Sequence, residues 1–311
     1  MPQLEKLPHF SLSNILLVTD FSDASETALR YAVALARRYD ATIFVTQVAA
    51  LKEETSRPSG HTALGGPMSI EDGAMEHFLK SAPLSGVRHE VLLEKGYVAD
   101  KFCQAVDDRQ IDLVVIGIPR QQFRTFWADS MLEKILDEIG CPVLIVRSHT
   151  VQKEPANDRF QRILYVTDLT ANSLYGLPYA LAFARDNRAE LDFVHLVDCL
   201  RTPGFYHGSP QDFAFRRYLG NVVCETGDQL KQREFIVAYG NPTEGVARVA
   251  ANENAGLIVI GGGSLSAMAM GSLSRTLASQ VVWHAHCPVL LIQIPWLKPQ
   301  ITTSERSQTS A

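Results

Sequence analysis

The chain repeats itself once at domain scale, and that repeat limits its fold more than any other feature. Ile15-Leu-Leu-Val-Thr-Asp20 returns 148 residues later as Ile163-Leu-Tyr-Val-Thr-Asp168. Tyr31, Ala32, Ala36 and Arg37 return at the same spacing as Tyr179, Ala180, Ala184 and Arg185. Gly96 and Gly117 match Gly240 and Gly261 at a spacing of 144, and Cys141-Pro-Val-Leu-Ile145 matches Cys287-Pro-Val-Leu-Leu291 at 146. The order is kept and the spacing drifts by only a few residues. A period of this size duplicates a whole domain rather than building a solenoid. The 311 residues also suit two domains, at roughly 150 residues each. The expected division is 1–150 and 151–299, with a polar linker at 148–159. A Thr/Ser/Gln-rich tail, 300–311, is expected to be disordered.

Each copy alternates short apolar runs with helical patterns. The runs lie at 15–19, 43–48, 87–93, 113–116 and 143–146, and again at 163–167, 191–196, 235–238, 257–260 and 289–292. Continuous apolar runs suit strands buried on both faces of a parallel sheet. After the first run, Ala28, Tyr31, Ala32, Leu35 and Ala36 line one helical face. Asp23 and Glu26 have capping-box spacing, with Asp in place of Ser or Thr. Further helices are expected through Phe102 and Val106 and near 131–139. Strands alternating with helices mean βαβ units. The expected fold class is therefore α/β: two doubly wound, five-stranded parallel-sheet domains in tandem. The Gly-, Pro-, Ser- and charge-rich stretches 51–73 and 201–212 read as mobile insertions.

The remaining numbers exclude function classes. Hydrophobic residues make up 46% and charged residues 20%, an ordinary globular balance. A net charge of −5 gives no basic footprint for nucleic acid. The first residues lack a basic-then-apolar signal pattern, and no apolar run approaches the ~20 residues of a membrane span. Cys103, Cys141, Cys199, Cys224 and Cys287 show no CxxC spacing. They read as small core residues in a reducing compartment, so a cytoplasmic location is expected. His284-x-His286-Cys287 is read as a helix end rather than a metal site, because residues two apart do not share a helix face. Neither a GxxxxGK[ST] loop nor a GxSxG elbow occurs.

Ligands of open parallel sheets sit beyond the carboxyl ends of the strands. Asp20 and Asp168 end the first strands, and Gly117 and Gly261 end the fourth. A carboxylate there could accept hydrogen bonds from a base or sugar. A glycine would let backbone approach a phosphate in front of a helix N-terminus. Equally, both aspartates could simply cap the next helix or turn, where Asp is favoured anyway.

The two copies resemble universal stress (UspA-type) domains. The resemblance rests on Val18-Thr-Asp-Phe-Ser22 before an Ala/Leu-rich helix, Gly240-Asn-Pro-Thr-Glu244, Leu257-Ile-Val-Ile-Gly261, and Cys-Pro-Val-Leu at 141–144 and 287–290. It covers nearly the whole chain. It implies an adenine nucleotide alpha hydrolase-like, Rossmann-like fold and an intrachain pseudo-dimer paired through the last strands, 143–146 and 289–292. It also implies a G-x2-G-x9-G-S/T loop after the fourth strand that wraps the phosphates of ATP.

Copy one departs from that loop. Arg120 stands near the second glycine, Asp129 replaces the last, and only Ser130 matches the hydroxyl. An extra carboxylate facing a polyphosphate opposes binding. Copy two keeps Gly261-Gly-Gly-Ser264, including Gly263, and Gly271-Ser272 looks like the terminal pair. Counting back from Cys287, however, puts Arg275-Thr276 at that position, so both registers stay open. The resulting expectation is a non-enzymatic stress-response regulator with ATP or a similar adenine nucleotide, if anywhere, in copy two. The cofactor-binding candidates are Asp168, Gly261, Gly263, Gly271, Ser272, Thr276, Asp20, Gly117 and Ser130. No catalytic residue and no metal ligand is expected. Further pairing of whole chains is open. The alternatives are a regulator that binds no nucleotide and a slow ATPase.

Overall fold

The computed structural model describes residues 12–47, 73–92, 104–118, 139–148, 160–167, 173, 176–197, 208–225, 235–239, 242–262 and 281–293. Ten strands lie at the expected apolar runs. In the first half they are β1 (Asn14–Thr19), β2 (Thr42–Gln47), β3 (His89–Leu92), β4 (Leu113–Ile118) and β5 (Val143–Arg147). In the second they are β6 (Arg162–Thr167), β7 (Glu190–Val197), β8 (Phe235–Tyr239), β9 (Leu257–Gly262) and β10 (Val289–Gln293). They form one sheet in the order β3-β2-β1-β4-β5-β10-β9-β6-β7-β8. Within each half every neighbouring pair is parallel. The central β5–β10 pair alone is antiparallel.

Successive residues of each strand feed two cores. Ile15, Leu17, Ile43, Val45, Leu113 and Val115 face one side of the sheet, while Leu16, Val18, Val114, Ile116, Val143 and Ile145 face the other. Both faces are covered, which is why the runs are continuously apolar rather than alternating. The described helices are α1 (Asp23–Tyr39), α2 (Ala74–Leu79), α3 (Leu177–Asn187), α4 (Pro210–Glu225) and α5 (Pro242–Asn252). Residues 104–108 are also helical, as expected around Val106. In α1 the small residues Ala24, Ala28, Ala32 and Ala36 are buried, so the helix lies close to the sheet.

Two local expectations are corrected. The N-cap of α1 is Ser22, whose side chain accepts from the Ser25 amide, and not Asp23 paired with Glu26. Asp23 and Glu26 sit instead in the first turn, where their charge suits the helix dipole. The stretch 201–212 is not all insertion: α4 begins at Pro210, and the buried Asp212 carboxylate ties Gly208 N to Arg216 Nε, each at 2.9 Å. Residues 51–72, the linker 149–159, the helix expected at 131–138 and the tail lie outside the described residues.

The halves meet as the resemblance implied, through their last strands. Leu290 faces Leu144, flanked by Val289 opposite Ile145 and Leu291 opposite Val143. On one face of the sheet α1 and α3 pack across the join. Tyr31 stacks on Phe160 at 6.1 Å between ring centroids, and Tyr39 stacks on Phe183 at 6.3 Å. Asn187 Nδ2 donates to the Tyr39 hydroxyl at 3.5 Å. Burial first, then the nearby Asp186 charge, raises the pKa of that phenol. Because β5 and β10 run antiparallel, the carboxyl ends of the two sets of strands lie at opposite edges of the sheet.

Candidate functional site

In the first half the carboxyl edge is built by β1 and β4, which pair with Val18 beside Ile116. Asp20 follows the buried Thr19 and is exposed. Its Oδ1 accepts from Ser22 N at 3.0 Å, Ser22 Oγ at 2.5 Å and Ser25 Oγ at 2.7 Å. The Asp20 amide in turn donates to Ser25 Oγ at 3.2 Å. Between them, Phe21 adopts a left-handed backbone with φ 63°, a conformation that a bulky residue enters only under constraint. Its amide donates to Thr19 Oγ1 at 3.0 Å and its ring packs edge-on against Phe78 at 5.6 Å. The aspartate thus closes the turn that starts α1.

Gly117 shows why a glycine ends β4. A Cβ there would lie 2.4 Å from the carbonyl carbon and oxygen of Ala24 and 2.5 Å from the Ser25 amide nitrogen. The first turn of α1 presses directly on the strand, and only glycine admits it. This requirement holds with or without a phosphate.

The second half repeats the device with different groups. β6 and β9 pair with Val166 beside Ile260. A Cβ on Gly261 would meet the Ser173 carbonyl oxygen at 2.3 Å and the Tyr165 hydroxyl at 2.8 Å. Gly176 also packs against it: its own Cβ would be 2.8 Å from the Gly261 Cα. Tyr165 is fully buried and its hydroxyl donates to the Ser173 carbonyl. The Thr167 and Ser173 hydroxyls pair at 2.9 Å. His195, in register with Thr167, bonds the Thr167 carbonyl through Nδ1 at 3.0 Å.

Asp20, Gly117 and Gly261 therefore stand at the carboxyl edges of their strands. Asp168, Ser130, Gly263, Gly271, Ser272 and Thr276 lie outside the described residues. Sequence reasoning did not single out Tyr165, Ser173 or His195. The signal was available in the repeat: Tyr165 replaces Leu17, and His195 replaces Gln47, both 148 residues on.

Among the described residues no three His, Cys, Asp or Glu side chains gather as a metal site. His284 is exposed, and His286 is half-buried with its pKa lowered by that burial. Cys141 and Cys287 are buried free thiols. No described helix is long and apolar enough to cross a membrane.

Comparison with known proteins agrees with this geometry. The universal stress protein family model matches residues 12–147 and again 159–293. A universal stress protein of Methanocaldococcus jannaschii is 26% identical over 137 residues, which are 43% of this chain and 81% of that protein. Among solved structures, a universal stress protein from Archaeoglobus fulgidus superposes with a TM-score of 0.63 at 19% identity, covering 90% of this chain and 98% of the other. A functionally unknown protein from Pseudomonas aeruginosa PAO1 superposes with a TM-score of 0.60 at 15% identity, covering 92% of this chain and 94% of the other. With two copies of the fold, both matched in sequence, the chain belongs to the universal stress protein family.

Proposed function

We propose that this protein is a non-enzymatic stress-response regulator in which the second half takes an adenine nucleotide such as ATP and the first half serves as scaffold. The observation that carries this reading is the difference between the loops that follow the two fourth strands. In the first half Ser25 Oγ donates to the carboxylate of Asp20, which also holds Ser22. The first-half aspartate is engaged in shaping its turn, and the loop after Gly117 carries Arg120 and Asp129 where the family's nucleotide loop has glycine. The second half keeps Gly261-Gly-Gly-Ser264, whose backbone suits a phosphate. Nucleotide bound there would bias the conformation of the chain and so its choice of partner.

Isothermal titration of the full chain with ATP tests this. Heat of binding that disappears in Asp168→Ala and Gly271→Asp supports the reading. No binding at millimolar ATP removes it. The second reading, a regulator without nucleotide, is favoured by Gly117 and Gly261, since close helix packing alone requires both glycines.

A further inference from the structure

Among the described residues, two cations cross the join between the halves, and both come from the first half. On one face of the sheet, Arg38 in the last turn of α1 donates through Nη2 to the carbonyl of Asp186 in the last turn of α3. On the other face, the buried Arg147 at the end of β5 donates through Nη1 to the carbonyls of Trp283 at 2.6 Å and Ala285 at 3.1 Å. Those carbonyls lie at the end of the helical residues 281–284. Both acceptors are therefore helix C-termini of the second half, which carry partial negative charge and orphan carbonyls.

The repeat shows that this arrangement is one-sided. Residues 38 and 186 are the same position in the two copies, 148 residues apart, as are Tyr39 and Asn187, which also touch each other. Leu144 and Leu290, 146 apart, face each other as well. Contacts between matching positions mark a two-fold axis. At the matching positions of the repeat the first half carries Arg38 and Arg147, while the second carries Asp186 and Gln293.

We propose that this interface is directional: the first half supplies the cations, the second half supplies the helix ends they bind, and β10 consequently selects β5 over the β10 of another copy. Two second halves brought together would set Asp186 against Asp186 at two negative helix ends. They would also lack Arg147, since the sequence has the neutral Gln293 at that position, and a neutral hydrogen bond is about half as strong as a charge-assisted one. Like-charge juxtaposition is how an interface rejects a wrong partner.

The test is hydrogen exchange of the full chain, read at the β5 and β10 amides against those of β1 and β6. Arg38→Asp and Arg147→Gln each raise exchange at the join about tenfold, the loss expected for one charged hydrogen bond. The exchanged pairs Arg38→Asp with Asp186→Arg, and Arg147→Gln with Gln293→Arg, restore most of the protection, because the cation then crosses the same axis from the other side. Unchanged exchange in the single variants overturns the proposal. So does an exchanged pair no better protected than its single variant. Should Arg38→Asp fail to fold, the 147/293 series decides alone.

Discussion

Leu144 of β5 and Leu290 of β10 lie directly opposite one another at the centre of the sheet, and they are the same residue of the repeat. An antiparallel pair centred on matching positions relates the halves by a two-fold axis. It follows that the two carboxyl edges point away from each other. A ligand held beyond the carboxyl ends of the strands would therefore meet a separate edge in each half.

The glycines at those edges answer first to packing. Gly117→Ala would drive a methyl group to 2.4 Å from the Ala24 backbone, and Gly261→Ala to 2.3 Å from the Ser173 oxygen. Neither neighbour is a flexible side-chain end. Each variant is expected to lose about 2–3 kcal/mol, the upper part of the overpacking range. Urea unfolding without nucleotide measures it; unchanged midpoints would contradict the packing account.

Asp20 is expected to matter for stability and not for ligand. Asp20→Ala removes the acceptor for Ser22 and Ser25, and Ser22→Ala removes the cap of α1. Each loses about 1 kcal/mol. Both variants should keep the nucleotide affinity of the wild type, measured side by side in the same titration. A selective loss of affinity in Asp20→Ala, with stability intact, would place a ligand in the first half.

The matching thiols supply a pH prediction. Burial pushes both Cys141 and Cys287 from the ordinary 9.0 up to about 12. The folded protein thus favours the neutral thiols. Their contribution to stability is whole below about pH 9 and is lost as pH rises from there through 12. Alkylation at pH 8 followed by peptide mapping should leave both unmodified in the native chain and label both after denaturation. Rapid native labelling of either one would contradict the burial.

Much of this fold was legible because buried parallel strands write themselves as unbroken apolar runs, such as Ile15-Leu-Leu-Val, and because the runs recur in order. The cap of α1 was read one residue late. Ser22 and Asp23 are both competent caps, and the contact of Ser22 with Asp20 decides between them. The position of Gly117 was legible, but its reason was not. The backbone that crowds it belongs to Ala24 and Ser25, brought there by the β1–β4 pairing. α4 was missed because Pro210 reads as loop punctuation, although proline also opens helices. The bond from Arg38 to Asp186 depends on two helix ends meeting at the axis, which no local pattern encodes.

The halves share a scaffold, and the proposed function has them differ in ligand capacity. Native mass spectrometry of the full chain in ATP counts bound nucleotide directly. One nucleotide per chain, lost in Asp168→Ala and retained in Asp20→Ala, is the predicted result. Two per chain, none, or one that vanishes with Asp20→Ala alone would contradict it.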